Sequence, residues 1–315
     1  MTIRLGVVMD PIATIQPAKD STLAMMLAAQ RRGWQIHYLP PEGVMLRDGR
    51  VQAQAFPTTV RDDPHDWFSL DAPRTVALGA LDVILMRKDP PFDMEYIYMT
   101  YLLEHAAREG VLVVNAPQAL RDCNEKFFTT WFPDCIPPTL VGRDRDAFLA
   151  FLEEQERIVV KPLDAMGGAS VFRVQRGDPN TNVILETLLD HGRRTALAQR
   201  FLPEYRQGDK RVLLIDGEPV DYMLARLPAP GEGRANLAAG GSYEGRPLGQ
   251  REREIAARVG PALRERGVLF AGLDVIGDWL TEINITSPTC IRELDRLYGL
   301  DIAGDLLARI ERHLG

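Results

Sequence analysis

The chain has 315 residues, enough for two or three subdomains around a sizeable core, and with 45% hydrophobic and 26% charged residues it reads as an ordinary globular protein. A net charge of −7 argues against a general binder of nucleic acid or of an anionic membrane, although local lysines and arginines can still hold anions. Three cysteines (Cys123, Cys135, Cys290) without metal-like spacing point to free thiols in a reducing compartment. No charged-then-apolar leader is present, and no apolar run approaches the ~18 residues of a membrane span, so a cytoplasmic protein is expected.

Ile3–Met9 is a compact apolar strand that stops at Asp10-Pro11. A helix capped by Asp20 or Ser21 runs to Gly33, and Trp34–Leu39 is the next strand, which makes a β-α-β unit with parallel strands. Residues 40–75 read as a β-hairpin with an irregular excursion. Leu81–Met86 is a buried strand, Tyr96–Arg108 a helix closed by Gly110, and Val111–Val114 a strand ending at Asn115. Residues 1–120 are therefore an open α/β sheet. Ligands in such sheets gather at the carboxyl ends of strands, here Asp10, Arg87-Lys88 and Asn115.

No G-x-G-x-x-G follows the first strand and no Walker-type phosphate loop occurs, so a bound nucleotide needs another device. Asn124-Glu125-Lys126 heads a helix predicted over Phe127–Phe132. Arg157–Lys161 is a strand ending on a lysine, where solvent is awkward to reach. It leads into Leu163–Ser170, a small-residue loop containing Gly167 and Gly168 that can bring backbone N–H groups close to phosphate. Ala196–Leu202 is extended, and residues 208–218 form a hairpin turning at Asp216-Gly217. The Gly- and Ala-rich stretch 229–245 suits a mobile loop, and helices are predicted near 250–266 and 303–313. No histidine is placed with a cysteine or serine as a dyad, which disfavours covalent catalysis.

The stretch Gly272–Cys290 organises the rest. It reads as two strands turning at Gly277-Asp278, with Glu282 and Asn284 two apart on one face. A three-residue loop (277–279) pairs Asp274 with Glu282, Leu273 with Ile283 and Val275 with Thr281, and the apolar pattern selects that register. Two acids and an amide on one face suit a hard divalent cation, Mg²⁺ above all. The alternative is an ordinary solvated face of an edge hairpin.

Lys126, Lys161-Pro162 with its glycine loop, the 209–218 hairpin and Asp274…Glu282-x-Asn284 together resemble the ATP-grasp ligases. Longer strings resemble the bacterial glutathione synthetases: Met9-Asp-Pro, Leu85–Asp93 (LMRKDPPFD), Leu120–Lys126 (LRDCNEK), Asn236–Gly241 (NLAAGG) and Thr281–Arg292 (TEINITSPTCIR). The resemblance implies an α/β (α+β) protein, an ATP-grasp fold preceded by an open α/β domain. Its parts would be an N-terminal substrate domain (1–122), a lid subdomain (123–200) and a catalytic subdomain (201–315) with the mobile loop. It also implies ATP-dependent joining of γ-glutamylcysteine to glycine through an acyl phosphate, with no nucleic-acid or membrane partner, in a homo-oligomer that is a tetramer.

By matching position, Asp274, Glu282 and Asn284 would hold Mg²⁺, with Mn²⁺ able to substitute. Lys126, Lys161, Gly167, Gly168, Gln199, Phe201, Leu202 and Asp209 would meet ATP. Arg211 would stabilise the transferring phosphoryl and acyl oxygens, with Arg234 and Asn236 reaching in from the loop. Arg87, Lys88, Ser287 and Arg292 would recognise the carboxylates of dipeptide and glycine. The chain departs from the family at Ala165, where glycine is common, and at Ser242-Tyr243, where a basic residue is common. Two competing readings share the nucleotide residues: a sister ligase acting on D-alanine or glutamate, and a non-catalytic ATP-binding regulatory module.

Overall fold

The computed structural model describes residues 2–166, 169–229 and 241–315. In the N-terminal part, the strands Gln35–Leu39, Arg4–Val8, Val83–Met86 and Leu112–Val114 lie side by side in that order, all parallel. Their almost uninterrupted apolar sequences fit strands covered on both faces. The intervening helices are Ser21–Arg31, whose first turn is capped by the Asp20 carboxylate accepting from Leu23 N at 2.6 Å, and Met94–Arg108, capped by Asp93. The expected hairpin is Val44–Arg47 with Arg50–Val60, turning at Asp48-Gly49. It adds antiparallel to the parallel sheet, and Phe68–Leu70 and Arg74–Ala77 pair with its long strand.

Two antiparallel sheets follow. The first, in the stretch expected to be a lid and called the lid sheet on that expectation, has the order Phe172–Gln175, Arg157–Pro162, Ala196–Arg200, Thr139–Gly142, backed by helices Arg145–Gln155 and Thr181–Leu189. The C-terminal sheet has the order Ser242–Pro247, Glu218–Leu227, Asp209–Ile215, Phe270–Ile276, Trp279–Asn284. Helices Gln250–Glu265 and Ile302–Leu314 pack on it. The lid closes its own small core around Phe148, Leu152, Val160, Leu185 and Leu188. The two larger cores each mix N-terminal residues such as Leu85 and Val113 with C-terminal ones such as Leu213 and Leu273.

Several expectations are corrected here. Asn115 is not a ligand-facing strand end. Its amide is buried, donating to Phe270 O (2.8 Å) and Ile285 O (2.6 Å) and accepting from Leu269 N (2.9 Å) and Phe270 N (3.0 Å), so it clasps the N-terminal sheet to the C-terminal one. Residues 127–131 form a 3₁₀ turn rather than an α-helix. The stretch 123–136, expected in the lid, runs along the C-terminal sheet: Ile283 N donates to Glu125 O and Leu280 N to Cys135 O, both at 2.8 Å. Within the predicted mobile loop, Ser242–Gly245 belong to a strand paired with Glu218–Leu227, while Arg234 and Asn236 lie outside the described residues.

The central hairpin also differs in an instructive way. Asp274 does oppose Glu282, and Leu273 opposes Ile283, but Val275 faces Leu280 rather than Thr281, and Ile276 faces Trp279. The turn is the two residues Gly277-Asp278, with φ +56° at Gly277, and the extra residue is absorbed as a bulge at Thr281. Thr281 Oγ1 holds that bulge by donating to Asp274 O at 3.1 Å.

Candidate active site

The lid sheet and the C-terminal sheet face each other across a cleft of about 580 Å³, rimmed on the N-terminal side by Asp89 and Pro90. That volume suits a small-molecule site. Its C-terminal wall follows from strand register. Asp209 and Arg211 share a face of one strand; Arg226 stands opposite Asp209, Asp274 opposite Arg211, and Glu282 opposite Asp274. Four strands thus present one row of charges. Gly272 makes room for it, since a Cβ there would fall 2.8 Å from Arg211 Cδ.

The row is tied together by ion pairs. Arg211 Nε and Nη2 donate to the two oxygens of Asp274 at 2.5 and 3.0 Å, and Arg226 Nη2 lies 2.9 Å from Asp274 Oδ2 and 2.7 Å from Asp209 Oδ2. Arg211, Arg226 and Asp274 are only 6, 7 and 4% exposed, so the pairs are shielded from solvent. Burial would raise the Asp274 carboxyl, but Arg211 and Arg226 hold it well below the usual carboxylate range. For Asp209 burial prevails over Arg226, with Asp274 adding to it, and the carboxyl is pushed up to about 6. Its Oδ1 is buried without a partner among the described residues.

The lid wall is half apolar, with Lys161, Arg173, Gln199, Arg200 and Tyr205 as its polar half. Val159, Met166, Val171, Phe201 and Leu202 line it, with Arg157 and Arg173 stacked 5.5 and 5.6 Å from the Phe201 ring centre. Lys161 crosses the cleft, its Nζ 3.3 Å from both Thr281 O and Glu282 Oε1. Burial would raise Glu282, yet Lys161 and then Lys126 bring it below its ordinary value. Gln199 lines the same wall, with Nε2 3.3 Å from Thr139 Oγ1.

Most of the expected site residues therefore converge: Lys161, Gln199, Phe201, Leu202, Asp209, Arg211, Asp274, Glu282, Asn284 and Ser287 all line the cleft. Others do not. Lys126 sits in an adjoining niche and donates from Nζ to Ala165 O. Arg87 is buried behind the cleft, donating to Thr22 Oγ1 (3.1 Å) and Pro288 O (2.9 Å), so it supports the 287–289 segment rather than facing ligand. Lys88 Nζ lies 3.9 Å from Asp10, and Arg292 is paired with Asp62. Gly167 and Gly168 lie outside the described residues. Ala165 does not adopt positive φ, so its side chain introduces no backbone strain. Arg226 and Glu125 line the cleft and were missed from the sequence.

The donor chemistry fits a hard divalent cation. Asn284 lines the cleft with Glu282 and commits its amide nitrogen to Asp274 Oδ2 and Gly272 O, both at 3.2 Å, so its oxygen is the atom it can offer a cation. Among the described residues no three His, Cys, Asp or Glu side chains suffice to hold a metal alone. A cation here would depend on Asn284 and on phosphate oxygens as well, the mode typical of Mg²⁺.

Comparison with solved structures gives this architecture the ATP-grasp fold. The D-cycloserine synthetase DcsG aligns over 99% of this chain and 100% of its own with a TM-score of 0.70, and the ATP-grasp ligase PsnB over 98% of both with 0.62, at 15 and 16% identity. At those identities the likeness is one of fold. The sequence carries the assignment further: residues 3–121 match the N-terminal domain of prokaryotic glutathione synthetase and residues 125–299 its ATP-grasp domain. The glutathione synthetases of Pseudomonas putida and Xanthomonas campestris are each 58% identical, and that of Vibrio cholerae 56%, with 99–100% of this chain and 98–99% of theirs covered. The chain belongs to the prokaryotic glutathione synthetase family, and it is an ATP-dependent ligase.

Proposed function

We propose that this cleft joins γ-L-glutamyl-L-cysteine to glycine, with ATP converted to ADP and phosphate and glutathione as product. The cysteinyl carboxylate of the dipeptide attacks the γ-phosphorus and ADP leaves. The glycine amine then attacks the acyl carbon of the resulting acyl phosphate, loses a proton and expels phosphate. The observation that carries this reading is the unbroken row Asp209–Arg226–Asp274–Arg211, with Glu282 beside it on the same wall and Lys161 facing it from the lid across a single cleft. Phosphoryl transfer asks for positioned charge more than for a covalent group, and the row supplies it.

Asp274 fixes the guanidinium of Arg211 from two oxygens, so the cation is held in place before negative charge develops. Arg226 spans the distance between the nucleotide end, where Asp209 would accept from the ribose hydroxyls, and the reacting end at Asp274. Lys161 brings a lid cation to the phosphates, and the apolar surface around Phe201 and Leu202 suits adenine. Asp274, Glu282 and Asn284 would hold Mg²⁺, which when bound neutralises charge between the phosphates. Ser287 is the dipeptide-side residue retained at the cleft.

The family resemblance further supports a homotetramer, and three buried unpaired thiols support a reducing, cytoplasmic setting. The decisive assay is phosphate release from ATP and Mg²⁺ with γ-glutamylcysteine and glycine added singly and together. Release that requires both, with glutathione formed in step, is expected. Release with a different carboxylate and amine, and none with this pair, would overturn the substrate assignment. Sedimentation equilibrium checks the tetramer.

A further inference from the structure

Three consecutive residues at the head of the 3₁₀ turn hold the two walls of the cleft. Asn124 Nδ2 donates to Leu163 O at 3.0 Å, and Lys126 Nζ donates to Ala165 O, so both grip the base of the lid loop. Glu125 grips the other wall. One oxygen, Oε1, accepts from Ile285 N (2.8 Å), Thr286 N (2.9 Å) and Thr286 Oγ1 (2.8 Å), and its backbone carbonyl accepts from Ile283 N (2.8 Å). Asn284 is thereby bracketed on both sides by bonds to a single residue. The strand ends at Asn284, so beyond it no partner strand supplies acceptors for the amides of 285 and 286. Those amides would otherwise be left unmet next to a buried site.

We propose that Glu125 is a positioning residue: its carboxylate fixes the exit of the Glu282–Asn284 strand, so that the Asn284 oxygen and Ser287 are presented to the cleft. The proposal rests on the ligase reading above. The chemistry is that of a rigid acceptor. A carboxylate oxygen taking three short bonds holds two backbone amides and a hydroxyl in one orientation, and supports of this kind are worth about 10–100-fold in metal affinity or activity.

The test compares Glu125→Ala and Glu125→Gln in the full chain. The Gln amide oxygen can take the same three donors, whereas Ala leaves them without an acceptor. In Glu125→Ala, kcat should fall about 10–100-fold and the Mg²⁺ concentration for half-maximal phosphate release should rise about tenfold. Hydrogen exchange at the Ile285 and Thr286 amides should accelerate, and Mg²⁺-dependent ADP binding measured by calorimetry should weaken. Glu125→Gln should stay within about threefold of the parent and keep slow exchange. Thr286→Val, which loses one donor and keeps its amide, should shift Mg²⁺ dependence in the same direction by a smaller factor, and it serves if Glu125→Ala does not fold. Equal damage in Gln and Ala would overturn the proposal by showing that the charge itself is needed. So would Glu125→Ala with parental exchange and Mg²⁺ dependence. If the parent releases no phosphate with γ-glutamylcysteine and glycine, the substrate reading fails, while ADP binding and exchange still decide the role of Glu125.

Discussion

The two walls of the cleft are built on opposite principles. The C-terminal wall is a charged row locked by internal ion pairs, on a sheet that shares both large cores with the N-terminal part and is clasped to it by Asn115. The lid wall sets an apolar patch (Val159, Met166, Val171, Phe201, Leu202) among separately placed polar side chains, and it rests on a small core made of lid residues alone. One wall keeps its charges from reorganising during the reaction. The other packs on a core of its own and reaches those charges through Lys161. Enclosure and preorganisation, which both phosphoryl transfer and protection of an acyl phosphate require, are thus assigned to different parts of the chain.

The sharpest way to break this division is at Asp274. Asp274→Asn leaves Arg211 and Arg226 without their shared counter-charge, and kcat for phosphate release should fall about 10²–10³-fold. Lys161→Met, which removes one of the lid's cations at the cleft but leaves the row intact, should fall by a smaller factor, mainly in kcat/KM for ATP. If Lys161→Met is the more damaging of the two, the chemistry lies on the lid. Next in size are two stability variants. Leu185→Ala in the lid core and Asn115→Ala at the clasp should each cost about 2–4 kcal/mol. Leu185→Ala should give an early separate melting step confined to the lid, whereas Asn115→Ala should lower the main transition. Calorimetric scans read both, and a single shared transition in Leu185→Ala would deny the lid its independence.

The smallest effect is one of pH. Folded Asp209 binds its proton more tightly than the ordinary carboxyl of value 3.8, being pushed up to about 6 by burial. Its contribution to stability is therefore fully present below about 3.8 and lost as pH rises through about 6. Asp274, held below the usual range, contributes in the opposite sense: its stabilisation is present above the ordinary value and lost as pH falls through the depressed one. Because only the ionised Asp209 is a full acceptor for ribose hydroxyls, ADP affinity should rise a few-fold through about pH 6. Titration calorimetry of Asp209→Asn should show that step gone.

Much of this was legible in the sequence. Apolar runs punctuated by Gly and Asp marked the parallel sheet and its helices within a residue or two, as at Ser21–Arg31. Local pattern also brought Asp274 opposite Glu282. The register of the charged row stayed hidden, and its cause in both hairpins is the β-bulge. From the tight turn at Asp216-Gly217, the pairs Ile215–Glu218 and Leu214–Pro219 predict Leu224 opposite Asp209. A shift between Val212 and Leu214 puts Arg226 there instead. The same device at Thr281 made a two-residue turn look like a three-residue loop. Bulges leave no signature in composition, and in both hairpins they set the final register of the charged row. Glu125 was hidden for another reason: its partners lie 160 residues away, and no local period announces them. The strand-end rule pointed at Asn115, Arg87 and Lys88. The side chains of Asn115 and Arg87 were used for joining the N- and C-terminal parts instead.

The separation of the cores also bears on the order in which the protein can be made. Residues 1–120 leave the ribosome first, yet their apolar faces are completed by partners such as Leu213, Leu273 and Leu306, which are synthesised long afterwards. The lid needs nothing outside residues 140–198 for its core. The middle of the chain is thus expected to fold before the beginning. Nascent chains stalled just after the lid should protect residues 139–200 from protease while the first 120 remain cleavable.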